Sequence, residues 1–335
     1  MNKLLKRVTA IALSGVLVAT AFAGCSAKSE NDDSKDADKV YKVGVCQLME
    51  HEALDAATEG FQQALKDKLG EDKVQIEVKN AQGDSNTCST INNQFVSSGV
   101  DLIMANATPA LQSATAITNT IPIVATSITE YGVALDIADF SGKTGMNVTG
   151  TSDLPPLDQQ AAMIKEICPD TKTVGIIYCS AEANSKYQAT EIAKYLANDG
   201  ITAKEYPFAD SNDLQSVVTK AVSENDALYV PTDNTAAENT PIIDAVARPE
   251  KCPVFAGEEG ICRGCGVVTL SIKYYDIGYA AGEMAAKILT EGADPATMDI
   301  GYAPEFTKEY NKEICDELGI TIPSDYVALA PAAAE

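Results

Sequence analysis

The side chains best able to do chemistry fall in short polar loops that follow β-branched runs. The chain has a single histidine, His51, flanked by Glu50 and Glu52. One histidine cannot supply several catalytic sets, and no Ser/His/Asp arrangement can be placed. A place in the lining of a cleft is the expected role. Asp233 in "PTDN" and Glu258 in "GEEG" are carboxylates able to hold an ammonium group. The stretch "ATPAL" opens a helix at Thr108 and Pro109. Unpaired N–H groups and the helix dipole favour an anion there, and proline suits the first turn. An anion seat facing a carboxylate describes a grip on an α-amino acid. Thr108 and Asp233 also suit helix N-caps, which alone would account for them.

The chain has nine cysteines. Cys46, Cys88, Cys168, Cys179, Cys252, Cys262, Cys265 and Cys315 are scattered through a long sequence, several within apolar strand patterns. A core of this size needs no disulfide staples, and buried free thiols are expected. "CRGC" (Cys262 to Cys265) has the spacing of half a zinc site. No second pair completes it. The expectation is two small apolar residues in a loop, with no metal and no cofactor.

The elements that must position these groups alternate regularly. Strand-like "KVGVCQ" precedes a helical stretch in which Leu54, Ala57, Phe61, Ala64, Leu65 and Leu69 share one face. The strands "KVQIEVKN", "VDLIMAN" and "IPIVATS" then alternate with helical stretches. After a pause at "MNVTGTSDLPP" the rhythm restarts with "TVGIIYCS", "TAKEYPF", "DALYVPT" and "PVFAGE". The chain ends with a strand "VVTLSI", a helix "YDIGYAAGEMAAKILTEG", a strand-like "MDIGYAP" and a helix "TKEYNKEICDELG". Two tandem α/β lobes with Rossmann-like parallel sheets follow from this pattern. Ligands of such sheets bind beyond the carboxyl ends of the strands. Six loops should therefore converge: 47–52, 106–110, 126–130 (with Ser127), 180–185, 231–234 and 257–260. Neither GxGxxG nor GxxxxGK[ST] is present.

The ends of the chain carry different information. Lys3, Lys6 and Arg7 precede an apolar run that stops at "FAGC", where Cys25 stands. This reads as a signal segment over residues 1–24, cut before a lipid-bearing Cys25. Residues 25–40 are polar and charged, and are expected to form a disordered tether. The net charge of −23, with no basic cluster, disfavours nucleic acid or anionic lipid as a ligand.

In sequence order, "GVCQLMEHEALDAATEGFQQAL", "NAQGD", "ATPALQ", "VTGTSDL", "YCSAEANS", "LYVPTDN", "FAGEEG" and "YYDIGYAAGEMAAKIL" resemble the ABC-transporter substrate-binding proteins of the tryptophan/tyrosine-uptake type. The resemblance covers about residues 41–322. It implies the type I periplasmic-binding-protein fold, a Venus-flytrap whose lobes are joined by three crossings near 149–153, 268–274 and 300–304. The first lobe would comprise 41–150 plus about 273–300, and the second 151–272 plus about 301–330. Carried over by motif, the ligand-binding residues would be Glu50, His51, Thr108, Pro109, Ser152, Asp153, Glu182, Asn184, Asp233, Asn234 and Glu258, with Ser127 in the loop after the fourth strand. That loop reads "SIT" where "TDP" is expected, and Glu258 stands where many relatives have Asp. The resemblance implies a monomeric, non-enzymatic receptor, lipid-anchored outside the membrane. It would capture an α-amino acid, aromatic in type, for an ABC permease. Two alternatives stand beside it. One is a sugar- or nucleoside-binding protein of the same fold, disfavoured by the absence of Trp. The other is a cofactor-free racemase using Cys46 and Cys179, whose offsets from the glycines of their strands differ.

Overall fold

A computed structural model describes residues 39–330. The expected signal segment, Cys25 and nearly all of the tether lie outside the described residues. The first lobe runs β1 (Tyr41–Gln47), α1 (Glu52–Leu69), β2 (Val74–Asn80), α2 (Ser85–Ser98), β3 (Leu102–Asn106), α3 (Thr108–Ile117), β4 (Ile123–Ile128), α4 (Tyr131–Leu135) and β5 (Val148–Ser152). The second runs α5 (Leu157–Ile167), β6 (Thr173–Cys179), α6 (Ala183–Asn198), β7 (Thr202–Phe208), α7 (Ser211–Glu224), β8 (Ala227–Val230), α8 (Asn234–Glu238), α9 (Thr240–Ala247), β9 (Val254–Ala256), α10 (Glu259–Cys265) and β10 (Val268–Ser271). The chain then returns to the first lobe with α11 (Tyr274–Glu291) and β11 (Gly301–Tyr302). It finishes in the second with β12 (Thr307–Tyr310), α12 (Lys312–Leu318) and β13 (Val327–Ala328).

The first sheet has the order β11-β5-β4-β3-β1-β2 and the second β13-β12-β10-β9-β8-β6-β7. All pairings are parallel except β10 with β12. Helices cover both faces, so the central strands are buried on both sides rather than alternating; β3 and β4 are buried along their whole length. The chain crosses between the lobes at 153–156, 272–273 and 303–306. Gly301 and Tyr302 pair with Thr151 and Ser152, so β11 edges the first sheet, and the third crossing falls a few residues after the expected one.

The helices follow from sequence. The apolar face of α1 buries Leu54, Ala57, Phe61, Ala64 and Leu65, and Lys66 and Lys68 sit in its last turn, where the dipole favours cations. Asp84 caps α2 by accepting Thr87 N at 2.6 Å. Helix α11 lies close against α1. A Cβ at Gly278 would come within 2.0 Å of the Ala57 carbonyl oxygen, and one at Gly60 within 2.1 Å of the Tyr275 carbonyl oxygen. Only glycine permits that approach.

Four local expectations are corrected. "TKEY" forms strand β12 rather than the start of a helix, because the register against β10 supplies its hydrogen bonds. The helix expected over "TAAENTPIIDAVAR" is two, broken at Asn239 ahead of Pro241. Short helix α4 lies in the segment before β5 and was not expected. "CRGC" lies in helix α10, with both thiols buried, rather than in a loop.

Candidate functional site

Between the lobes lies a cavity lined by His51, Ala53, Leu54, Ser127, Asp153, Asn184, Thr232, Asp233, Asn234, Ala237, Glu258 and Tyr274. Its free volume is about 10 Å³, about the room one water needs. An amino acid is much larger, so the lobes must part to admit one. Five of the six expected loops supply lining residues, and the loop at 106–110 supplies none.

Backbone geometry aims several of these groups. Ser127 has φ 56°, unusual for a residue other than glycine, at a break in register between β4 and β5. Its hydroxyl oxygen is buried and makes no hydrogen bond. Asp153 follows β5 on the first crossing. Its Oδ2 accepts the Tyr274 hydroxyl at 3.0 Å, while its Oδ1 is buried and unpartnered. Asn184 donates Nδ2 to the Thr232 carbonyl at 3.1 Å and leaves Oδ1 unpartnered. Among the described residues, eight buried side-chain polar atoms lack a partner, and three of them belong to this cavity lining.

The other carboxylates of the site are engaged. Asp233 accepts Ala236 N at 2.8 Å as the cap of α8, and Cys179 N at 2.6 Å. Glu258 caps α10 through the N–H groups of Gly260 and Ile261. Glu182 accepts Asn234 N, Asn234 Nδ2, Thr235 N and Thr235 Oγ1, tying the start of α6 to the start of α8. Helix α1, by contrast, has no side-chain cap. Its first-turn residues Ala53 and Leu54 line the cavity, so a helix N-terminus with free N–H groups faces it.

No Lys or Arg lines the cavity. Burial raises Asp153 to about 6, with the hydrogen bond from Tyr274 opposing. Burial likewise raises Glu258 to about 7 against its two backbone N–H bonds. Burial and then the charge of Glu182 push Asp233 up. His51 is held below its ordinary value by burial. It is therefore neutral at pH 7, and donates Nε2–H to Asn234 Oδ1 at 3.1 Å. The cavity has negative groups in excess and no cation of its own, so it favours a cationic guest.

Contacts between the lobes surround the cavity. His51 meets Asn234, and Arg263 makes two bonds to Glu52, Nε to Oε2 at 2.9 Å and Nη2 to Oε1 at 2.8 Å. Gln188 donates to Thr129 Oγ1 at 3.2 Å. This is a closed arrangement.

Of the residues expected at the site, His51, Ser127, Asp153, Asn184, Asp233, Asn234 and Glu258 line the cavity. Glu50, Thr108, Pro109, Ser152 and Glu182 do not. Glu50 is exposed. Thr108 is buried as the first residue of α3, whose cap position is Ala107 with φ 85°. The helix start facing the cavity is thus that of α1, not that of α3. Ser152 donates to the Thr129 carbonyl at 2.8 Å and holds the loop. Tyr274 was not foreseen. At the start of a helix its type and position read as core packing, and only the return of α11 to the first lobe carries it to the cavity. All eight cysteines among the described residues are free, and none lines the cavity.

A family model described as "ABC transporter substrate binding protein" matches residues 42–333. The chain belongs to that family. A "Tyrosine-binding protein" from Clostridioides difficile (strain R20291) is 35% identical over 291 residues, 85% of this chain and 84% of the relative. Among solved structures, the ABC domain in complex with L-Trp from Streptococcus pneumonia is 34% identical with a TM-score of 0.82, over 85% of this chain and 97% of that one. The ligand-free, open structure of a substrate-binding protein with adhesive properties from Clostridium difficile is also 34% identical. Its TM-score is 0.68, over 87% of this chain and 100% of that one. At equal identity the match is better to the complex than to the open form, in keeping with the interlobe contacts above. Substrate-binding proteins of ABC importers work outside the cytoplasm and bind ligands without transforming them. The racemase alternative falls away with this, and the two thiols it needs are buried away from the cavity. No described helix is long and apolar enough to cross a membrane.

Proposed function

We propose that this substrate-binding protein captures an α-amino acid with an aromatic side chain and delivers it to an ABC permease. It would act as a monomer, anchored through lipid on Cys25. One observation carries the ligand class. Asp153 Oδ1, Ser127 Oγ and Asn184 Oδ1 are three buried acceptors without partners in the lining of one cavity. An ammonium group offers three N–H donors. The uncapped first turn of α1 supplies the opposite pole, where a carboxylate would meet free N–H groups and the positive end of the dipole. Asp153, rather than Asp233 or Glu258, is the carboxylate assigned to the ammonium, because the other two have both oxygens on backbone donors. Ala53, Leu54, Ala237 and the Tyr274 ring form the apolar wall. The aromatic class rests on the tyrosine-binding relative and the L-Trp complex.

Calorimetric titration tests the reading. L-Tyr, L-Trp or L-Phe should bind, while tyramine, lacking the carboxylate, and 3-(4-hydroxyphenyl)propionate, lacking the ammonium, should bind at least about 100-fold more weakly. Equal binding of either truncated analogue would remove the two-pole grip, and a thermal shift with sugars or nucleosides alone would replace the ligand class.

A further inference from the structure

We propose that Tyr274 is a positioning residue that aims the Asp153 carboxylate at the ligand's ammonium and, by joining two of the three interlobe crossings, ties ligand capture to the hinge. This rests on the amino-acid reading above. Asp153 is the first residue after β5, on the crossing at 153–156. Tyr274 begins α11, directly after the crossing at 272–273. Their side chains meet across 121 positions of sequence at 3.0 Å, both buried. The phenol takes Oδ2, which leaves Oδ1 as the oxygen without a partner. The carboxylate therefore cannot rotate without losing a charge-assisted hydrogen bond.

The surroundings give this bond unusual weight. Facing Asp153 are the Thr129 hydroxyl and the phenol of Tyr131. Tyr131 is already committed to the carbonyls of Ala125 and Thr151, at 3.1 Å each. Across the cavity stand Asp233, Glu258 and the neutral His51, none of which stabilises a negative charge. Lys273, the adjacent cation, reaches instead to Glu259 and Glu309 at 2.8 Å each. Tyr274 is thus a main support of ionised Asp153. The Tyr274 ring packs with Ala53, Ala57, Ile272 and Ile277, so phenylalanine would keep the packing and remove only the donor.

The test compares wild type, Tyr274→Phe and Asp153→Asn by calorimetric titration with L-Tyr and L-Trp from pH 5 to 8. Wild-type affinity should fall about tenfold per pH unit once Asp153 is protonated, below about pH 6. Tyr274→Phe should bind about tenfold more weakly at pH 7, and its loss of affinity should begin at higher pH. Placing 3-fluorotyrosine at position 274 keeps ring and hydroxyl, strengthens the donor, and should move the onset to lower pH. Wild-type affinity and onset in Tyr274→Phe, with binding lost in Asp153→Asn, would overturn the positioning role and leave the amino-acid reading standing. Weaker binding with an unmoved pH profile would mark a packing role only and also overturn it. Full binding by Asp153→Asn would overturn the amino-acid reading itself.

Discussion

Replacing Asp153 with Asn should make the unliganded protein more stable while ending its function. Asp153 is fully buried, and its carboxyl is raised from the ordinary 3.8 to about 6. Between those values the folded chain holds a proton that the unfolded chain has lost, so stability falls as pH rises through this window. Above about pH 6 the full penalty applies. A shift of about two units corresponds to about 3 kcal/mol at ~1.4 kcal/mol per unit. Asparagine has nearly the same shape, still offers an oxygen to the Tyr274 hydroxyl, and carries no charge. The difference in stability between variant and wild type should therefore be small at pH 4, grow to about 3 kcal/mol by pH 7, and stay level to pH 8. In thermal unfolding that is a gain of about 5 °C at pH 8. The shift produced by L-Tyr or L-Trp should vanish, because a buried ammonium that loses its ionic partner forfeits about 3–5 kcal/mol. Scanning fluorimetry across pH 4 to 8, with and without ligand, reads both effects. A stability difference that does not change with pH, or a variant less stable than wild type at pH 8, would refute the assignment of a strained buried carboxylate.

Arg263→Ala removes the paired bonds to Glu52 that cross the cleft outside the cavity. It should weaken ligand binding about two- to fivefold, as a part-exposed ion pair warrants, and raise the radius of gyration in solution scattering. Unchanged values of both would show that the pair does not hold the lobes. Gly278→Ala drives a methyl into the Ala57 carbonyl and should cost at least about 1–3 kcal/mol in chemical denaturation; wild-type stability would mean that α1 and α11 can separate freely. In a chain starting after Cys25, Ellman's reagent should leave seven thiols untouched until unfolding, with the half-buried Cys168 reacting first. Rapid modification of several thiols in the native protein would contradict the packing.

The alternating strands and helices were legible because parallel sheets covered on both faces need continuous apolar runs. Five of the six loops at the strand ends were legible for the same reason, since topology sends them to one cleft. The division of labour among the carboxylates was not. Asp233, Glu258 and Asp153 look alike in sequence, and which of them caps a helix depends on where the next turn begins. The sequence does not reveal that Ala107, at positive φ, takes the cap position of α3, nor that Thr108 lies outside the cavity lining. Strand β12 is not legible in the local sequence because its pairing comes from β10, more than 30 residues upstream.

Helix α11 has a consequence for how the molecule comes into being. Its partner α1 lies more than 200 residues earlier, and the whole of β6 to β10 intervenes. Until α11 is available, the face of α1 notched by Gly60 has nothing to pack against. Such distant closure slows folding, so the α1–α11 seam is among the last contacts available to the chain.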